Sequence, residues 1–227
     1  MRTLILIGGS KGISSAIAKT LSPSYNIINI SRSAPEFKHD NLRHIQCDVV
    51  NDDLPTIESA DALVYCPGSI NLKPINRLKS EDFRSDFEIN VIGAVNAIQT
   101  YLPILKNGVH PSIVLFSTVA VKLGMPFHAS IATAKAGVEG LTRSLGAELA
   151  PTIRINAIAP TVTDTELASK LLRNDRMIEQ MKERHPLKKY LAPEEVADLA
   201  AYLLSEKSLA LSGQIFEMDC GIVSFKI

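Results

Sequence analysis

Glycines set between an apolar run and the start of a helical pattern can bring backbone N–H groups up against a phosphate. This chain carries such a cluster: Gly8-Gly9-Ser10-Lys11-Gly12-Ile13-Ser14 directly follows Thr3-Leu4-Ile5-Leu6-Ile7. Glycine reaches positive φ without a Cβ penalty, and a helix N-terminus favours negative charge. The loop therefore reads as a seat for a pyrophosphate, with Gly8, Ser10, Lys11, Gly12 and Ile13 as its contacts. Its spacing is not GxGxxG, and a tight turn with no ligand would use the same glycines. After the second apolar run the chain reads Ile30-Ser31-Arg32-Ser33, with no Asp or Glu placed to grip a ribose 2′-hydroxyl. A 2′-phosphate would instead find Arg32, with Lys11 approaching from the glycine loop, in charge-assisted hydrogen bonds. NADP(H) is the expected cofactor ahead of NAD(H), unless both cations are ordinary solvated charges.

Other chemistries find less support. His39, His44, His110, His128 and His185 are scattered without HxxxH or HExxH spacing, and Cys47, Cys66 and Cys220 form no CxxC pair, so no metal is expected. Lys plus Arg and Asp plus Glu both number 24, which leaves no strong field to gather nucleic acid or an anionic membrane. The opening apolar run of five residues is too short for a signal-peptide core or a membrane span, so a reducing cytoplasmic setting is expected. With 227 residues, 46% of them hydrophobic, the chain can bury one full core, and residues 1–227 are read as a single domain.

The elements that would position the loop alternate along the chain. Apolar stretches of strand length recur at 3–7, 25–30, 42–47, 62–66, 112–117, 153–159 and 214–218. Helical patterns fall between them at 12–21, 80–106, 129–150 and 193–204, with a short one near 52–59 and pieces within 165–184. Such alternation predicts a single-domain, doubly wound α/β fold: a seven-stranded parallel sheet, helices on both faces, and ligands beyond the carboxyl ends of the strands. The 80–106 helix is apolar around more of its surface than one core contact requires, and 129–150 is dense in Ala, Gly and Ser. Deep burial in a monomer would explain both, as would pairing across a homodimer, which is the expected arrangement.

Taken together, these motifs resemble the short-chain dehydrogenase/reductase family, especially its 3-oxoacyl-carrier-protein-reductase-like members, nearly from end to end. Gly8-Gly9-Ser10-Lys11-Gly12-Ile13 is similar to that family's TGxxxGxG loop, Tyr65-Cys66-Pro67-Gly68 occupies its NNAG place, and Asn90-Val91-Ile92-Gly93 matches its NxxG. The segment from Pro160 to Thr165 matches PGxxxT, and Asp219-Cys220-Gly221 the terminal DGG. The resemblance implies a single Rossmann-type domain, a nicotinamide cofactor and a homodimer or homotetramer. It also implies that Asp48 and Val49 lie at the adenine, Pro67, Gly68 and Pro160 line the cofactor site, and Thr165 holds the carboxamide. Ile7, Ser14 and Thr161 depart from the family residues at their positions.

The resemblance further implies a Ser-x12-Tyr-x3-Lys set assisted by an Asn. Lys135, within Ala132-Thr133-Ala134-Lys135-Ala136-Gly137, takes the lysine place, and Asn90 the asparagine place. Four residues before Lys135 stands Ile131, and thirteen before that Thr118. The Ser has become Thr, and the Tyr is gone. Lys135 can hydrogen-bond the nicotinamide ribose, Thr118 can orient a carbonyl, and Asn90 can hold a water near Lys135. Ile131 has no proton to give, and a positioned general acid contributes about 10² to 10⁴ in rate. His128, seven residues before Lys135 on the same helical face, is the candidate substitute donor, though a histidine packed into the loop before the helix would read the same way. Tyr65 and Tyr190 are weaker substitutes.

Three readings stay open. A substitute donor acts; or the reaction, such as reduction of a polarised C=C bond, needs no tyrosine acid; or the chain is a nucleotide-binding pseudoenzyme serving as a redox sensor or partner subunit. A small-molecule substrate is expected, covered by a lid at about 161–190. There Leu167, Leu171, Leu172, Met177, Ile178 and Met181 recur at helical spacing among charged residues. These apolar residues could receive an apolar substrate or simply pack the core.

Overall fold

The computed structural model describes residues 1–226. Seven strands form one parallel sheet: β1 (Arg2–Ile7), β2 (Tyr25–Ser31), β3 (Leu42–Gln46), β4 (Ala62–Tyr65), β5 (Ser112–Phe116), β6 (Arg154–Pro160) and β7 (Ile215–Met218). Their order is β3-β2-β1-β4-β5-β6-β7, and every neighbouring pair is parallel. Helices fill four of the six connections, those from β2 to β3 and from β3 to β4 being irregular: α1 (Gly12–Leu21), α2 (Ser80–Phe87), α3 (Gly93–Leu105), α4 (Ala129–Glu148), α5 (Asp175–Arg184) and α6 (Pro193–Leu204).

Period-two alternation along each strand divides the core between the two faces. In β1, Leu4 and Leu6 face the layer built on Ala16, Ile17 and Leu21 of α1 and Val196, Ala200, Leu203 and Leu204 of α6. Ile5 and Ile7 face the opposite layer, with Val91, Ala94, Ile98 and Tyr101 on one helical run and Val138 on α4. All four strand residues are fully buried. This explains why β1 is an unbroken apolar run rather than an alternating one.

Two elements differ from the sequence reading. The helix expected near 52–59 is irregular chain. Both carboxylate oxygens of Asp48 are spent on the turn that follows β3, accepting from Val50 N and from Asn51 Nδ2, each at 3.1 Å. Pro55 then lacks an N–H and disfavours helical geometry in Leu54, so Leu54 and Ile57 reach the core from coil. The helix read as 80–106 is interrupted by a wider π turn at Glu88–Ile92 between α2 and α3. No helix among the described residues is long and apolar enough to cross a membrane.

Candidate active site

The sheet order reverses at β1, which has β2 on one side and β4 on the other, so the loops after β1 and β4 flank a crevice at its carboxyl edge. The loop after β1 turns through Gly8 at φ +81° and enters α1 at Gly12, φ +57°. A Cβ on Gly8 would sit 3.1 Å from Pro67, so the two loops pack directly against one another. Ser14, buried in the first turn of α1, donates to the carbonyls of Gly8 (2.6 Å) and Lys11 (2.9 Å), closing the loop from within. Asn29 on β2 accepts the Gly9 N–H at 2.9 Å, and a Cβ on Gly9 would fall 2.5 Å from that same oxygen.

Outside the loop lies an open cleft of about 530 Å³ lined by Ser10, Lys11, Gly12, Ser15, Lys19, Glu36, Phe37 and Glu166. Lys11 Nζ lies 2.7 Å from Glu166, and this hydrogen bond holds the ammonium's pKa above the usual lysine value. The start of the 161–190 segment therefore lies over the glycine loop: a Cβ on Gly12 would sit 3.1 Å from Thr165 Cγ2. Arg32 is exposed beyond β2. Asp48 is half-buried and Val49 buried. The Asn51 and Val50 hydrogen bonds hold the Asp48 carboxyl below the ordinary range.

Deeper in the crevice, Tyr65, Pro67, Asn90, Phe116, Lys135 and Val138 line one tight niche. Lys135 is buried and donates to the Phe116 carbonyl at 2.8 Å; loss of water around the ammonium brings its pKa down to about 8. Asn90 sits in the π turn, where its Nδ2 donates to the Asp86 carbonyl (2.7 Å) and to Ser69 Oγ (3.1 Å). Its Oδ1 is buried without a partner. A Cβ added to Gly68 would lie 3.3 Å from that oxygen and 3.6 Å from Lys135 Nζ, so both groups converge above Gly68. Thr118, half-buried after β5, accepts from Ala120 N at 3.3 Å. Ile131, on α4 one turn before Lys135, is buried.

The substitute donors stand less favourably. His128 caps α4, its Nδ1 donating to the Pro126 carbonyl at 2.7 Å, and seven helical residues separate it from Lys135 by about 10 Å along the axis. Tyr65 is buried, donates to the Ile89 carbonyl at 2.7 Å, and has its pKa raised by desolvation. Tyr190 is half-buried near the end of the lid segment.

With the crevice and the niche in place, likeness to known proteins becomes informative. Residues 10–223 match a family model described as Enoyl-(Acyl carrier protein) reductase. The chain belongs to the short-chain dehydrogenase/reductase family, whose members are oxidoreductases. Within it, a 3-oxoacyl-(acyl-carrier-protein) reductase of Thermotoga maritima is 35% identical over 72% of this chain and 66% of its own length. A probable galactose dehydrogenase of Rhizobium meliloti is 26% identical over 97% and 94%. A short chain dehydrogenase family protein of Francisella tularensis superposes with a TM-score of 0.89 at 26% identity, covering 99% of this chain and all of its own.

A dinucleotide fits the observed residues: two positive-φ glycines open the N-terminus of α1, and a polar pair converges above Gly68. Several participants escaped the sequence reading. Asn29 had a faint signal, an amide on the mostly apolar β2, which also carries the exposed Asn26. Ser69, Asn71, Asp86 and Ser130 had none, because three separate segments bring them together. Thr161, read only as a departure from the family pattern, donates to His185 Nε2 at 2.7 Å while His185 Nδ1 donates to the Met181 carbonyl, tying β6 to the end of α5. In α5 itself Met177, Ile178 and Met181 are only half-buried, so this apolar stripe lies shallow on the body of the protein.

Proposed function

We propose that the protein is an NADP(H)-dependent oxidoreductase that moves hydride to or from a small carbonyl, alcohol or enoyl compound without a tyrosine acid. The observation that carries this reading is the convergence of buried Lys135 and the unpartnered Asn90 Oδ1 above Gly68, at the end of a crevice whose other end is the glycine loop. Chance retention of the pair would leave Asn90 Oδ1 desolvated to no purpose, at a cost of about 1–3 kcal/mol.

A bound nicotinamide would supply the hydride-transfer chemistry; the chain's own residues bind and orient. Gly8, Ser10, Lys11, Gly12 and Ile13 would hold the diphosphate, and Asp48, Val49, Pro67, Gly68, Pro160 and Thr165 the remaining cofactor surface. Arg32 and Lys11 support a 2′-phosphate. Lys11 would have to leave Glu166 to reach it, at little cost because both partners of that pair are solvated. Lys135 would hold the ribose hydroxyls, Thr118 would orient the substrate oxygen, and Asn90 with Lys135 would hold a water that delivers a proton. His128 is the alternative donor. The chain is taken to act as a cytoplasmic homodimer or homotetramer. Phe87, exposed on α2 beside α4, supports an interface on that face.

A second reading, a silent nucleotide-binding partner or sensor, is favoured by one observation: Ile131 is packed where an acid would stand. NADPH supplied with ketones, 3-oxoacyl thioesters and enoyl thioesters separates the two. Turnover supports the enzyme; tight NADPH binding with no turnover on any of them supports the partner. If turnover occurs, an unaltered kcat in His128→Ala removes His128 as donor. In Arg32→Asp, NADPH affinity should fall at least tenfold with NADH affinity kept, and an unchanged preference would remove the 2′-phosphate assignment.

A further inference from the structure

Asp86, in the last turn of α2, is fully buried. A carboxylate taken out of water costs several kcal/mol unless hydrogen bonds and an opposite charge compensate it. The hydrogen bonds are present: Oδ1 accepts from Ser69 Oγ (2.5 Å) and Asn71 Nδ2 (2.9 Å), both on the chain after β4, and Oδ2 accepts from Ser130 Oγ (2.6 Å) on α4. Ser69 in turn accepts from Asn90 Nδ2 at 3.1 Å. The carboxylate is thus joined through one hydroxyl to the amide whose other end, Oδ1, is unpartnered near Lys135.

The charge balance points the same way. Two ionisable groups act on Lys135: Cys66, at the end of β4, and Asp86. Burial pushes the Cys66 thiol up to about 12, so it stays protonated, and Tyr65 in the same niche is likewise raised. Asp86 is therefore the negative charge that acts on the ammonium. The other acids of α2 lie in its first turn and are already paired, Asp82 with Lys73 at 2.7 Å and Glu81 with Arg84 at 2.6 Å.

We propose that Asp86 is a positioning residue for the reacting centre: through Ser69 its buried carboxylate turns the Asn90 carbonyl toward Lys135, and it supplies the counter-charge to that ammonium. Ser130 and Asn71 keep the carboxylate in place, and Ser130 also ties it to the first turn of α4, which carries Ile131 in place of a phenol. With no phenol beside it, Lys135 has its desolvation, the main influence on its proton affinity, partly offset from the α2 side. The role rests on the site proposed above, but its test does not need turnover.

Carbon-13 NMR of cofactor-free protein labelled at lysine Cε and aspartate Cγ reads both partners, the Lys135 signal being assigned by its loss in Lys135→Met. In the wild type the Lys135 signal should titrate near pH 8. In Asp86→Asn the midpoint should fall by roughly half a unit or more, because the ammonium loses a nearby negative charge that stabilises it. Equal midpoints in two folded proteins would overturn the proposal. Should Asp86→Asn fail to fold, the wild type alone decides: the Asp86 carboxyl carbon, beside a charge that disappears, should change its chemical shift at the Lys135 midpoint, and a signal blind to it overturns the proposal. Ser69→Ala keeps the charge and the 2.7 Å bond from Asn90 Nδ2 to the Asp86 main-chain carbonyl but removes the hydroxyl that joins Asn90 to the carboxylate, so the Asn90 side-chain amide resonances should shift while the Lys135 midpoint holds. Unmoved amide resonances would overturn the orienting role. A chain inert toward every substrate would sink the oxidoreductase reading and leave these titrations intact; an active chain with an uncoupled Asp86 would do the reverse.

Discussion

Replacing Lys135 by Met removes a charge that the fold holds out of water, and the consequence for stability has a definite pH signature. Desolvation lowers the Lys135 pKa from 10.5 to about 8, which is worth about 3 kcal/mol at roughly 1.4 kcal/mol per unit. The sign follows from proton counting. Between pH 8 and 10.5 the folded lysine is neutral while the unfolded one is still protonated, so the unfolded state binds the extra proton and rising pH favours the fold. The penalty is fully present below pH 8, declines across that window and is gone above 10.5. Lys135→Met carries no such penalty, but it leaves the Phe116 carbonyl without its donor, a pH-independent loss of about 1–3 kcal/mol. The two nearly cancel at pH 7. The informative quantity is therefore the difference in unfolding free energy between variant and wild type, measured in urea at equal protomer concentration, without nucleotide, from pH 7 to 10.5. It should move by about 3 kcal/mol in favour of the wild type as pH rises. A difference that stays flat to within about 0.5 kcal/mol would refute the claim that Lys135 is desolvated in the folded protein.

Gly93→Ala should destabilise by about 1–3 kcal/mol or more, because its Cβ would fall 2.1 Å from Tyr65 Oη; adding Tyr65→Phe should recover part of the loss in the same unfolding assay. Gly12→Val should weaken NADPH binding at least tenfold by calorimetry. It places a β-branched residue at φ +57° and crowds Thr165, so wild-type affinity would argue against a diphosphate at this turn. Ile131→Tyr restores a phenol one turn from Lys135 and should raise NADPH-dependent ketone reduction by about 10² or more, with NADPH affinity unchanged. A folded, nucleotide-binding variant with no gain would show that the niche has lost more than its acid.

What the sequence determined by itself is the part of the protein governed by local rules. Apolar runs such as Leu4–Ile7 set strand positions, α1 and α6 appear at Gly12–Leu21 and Pro193–Leu204 as the periodicity predicts, and the glycine loop is written in consecutive residues. Its reach ended where the backbone departs from regular geometry: the turn spent on Asp48 replaced an expected helix, and the π turn at Glu88–Ile92 carries no periodicity signal. Tertiary structure alone decided the chemistry of the niche. The family resemblance paired Asn90 with Lys135, but Ser69, Asp86 and Ser130 come from a loop and two helices, and their spacing along the chain says nothing of their convergence behind that pair. Whether a lysine is an ordinary surface cation or a desolvated base with a pKa of about 8 depends on the water that its neighbours exclude, and that exclusion exists only after the sheet and both helical layers have closed around it.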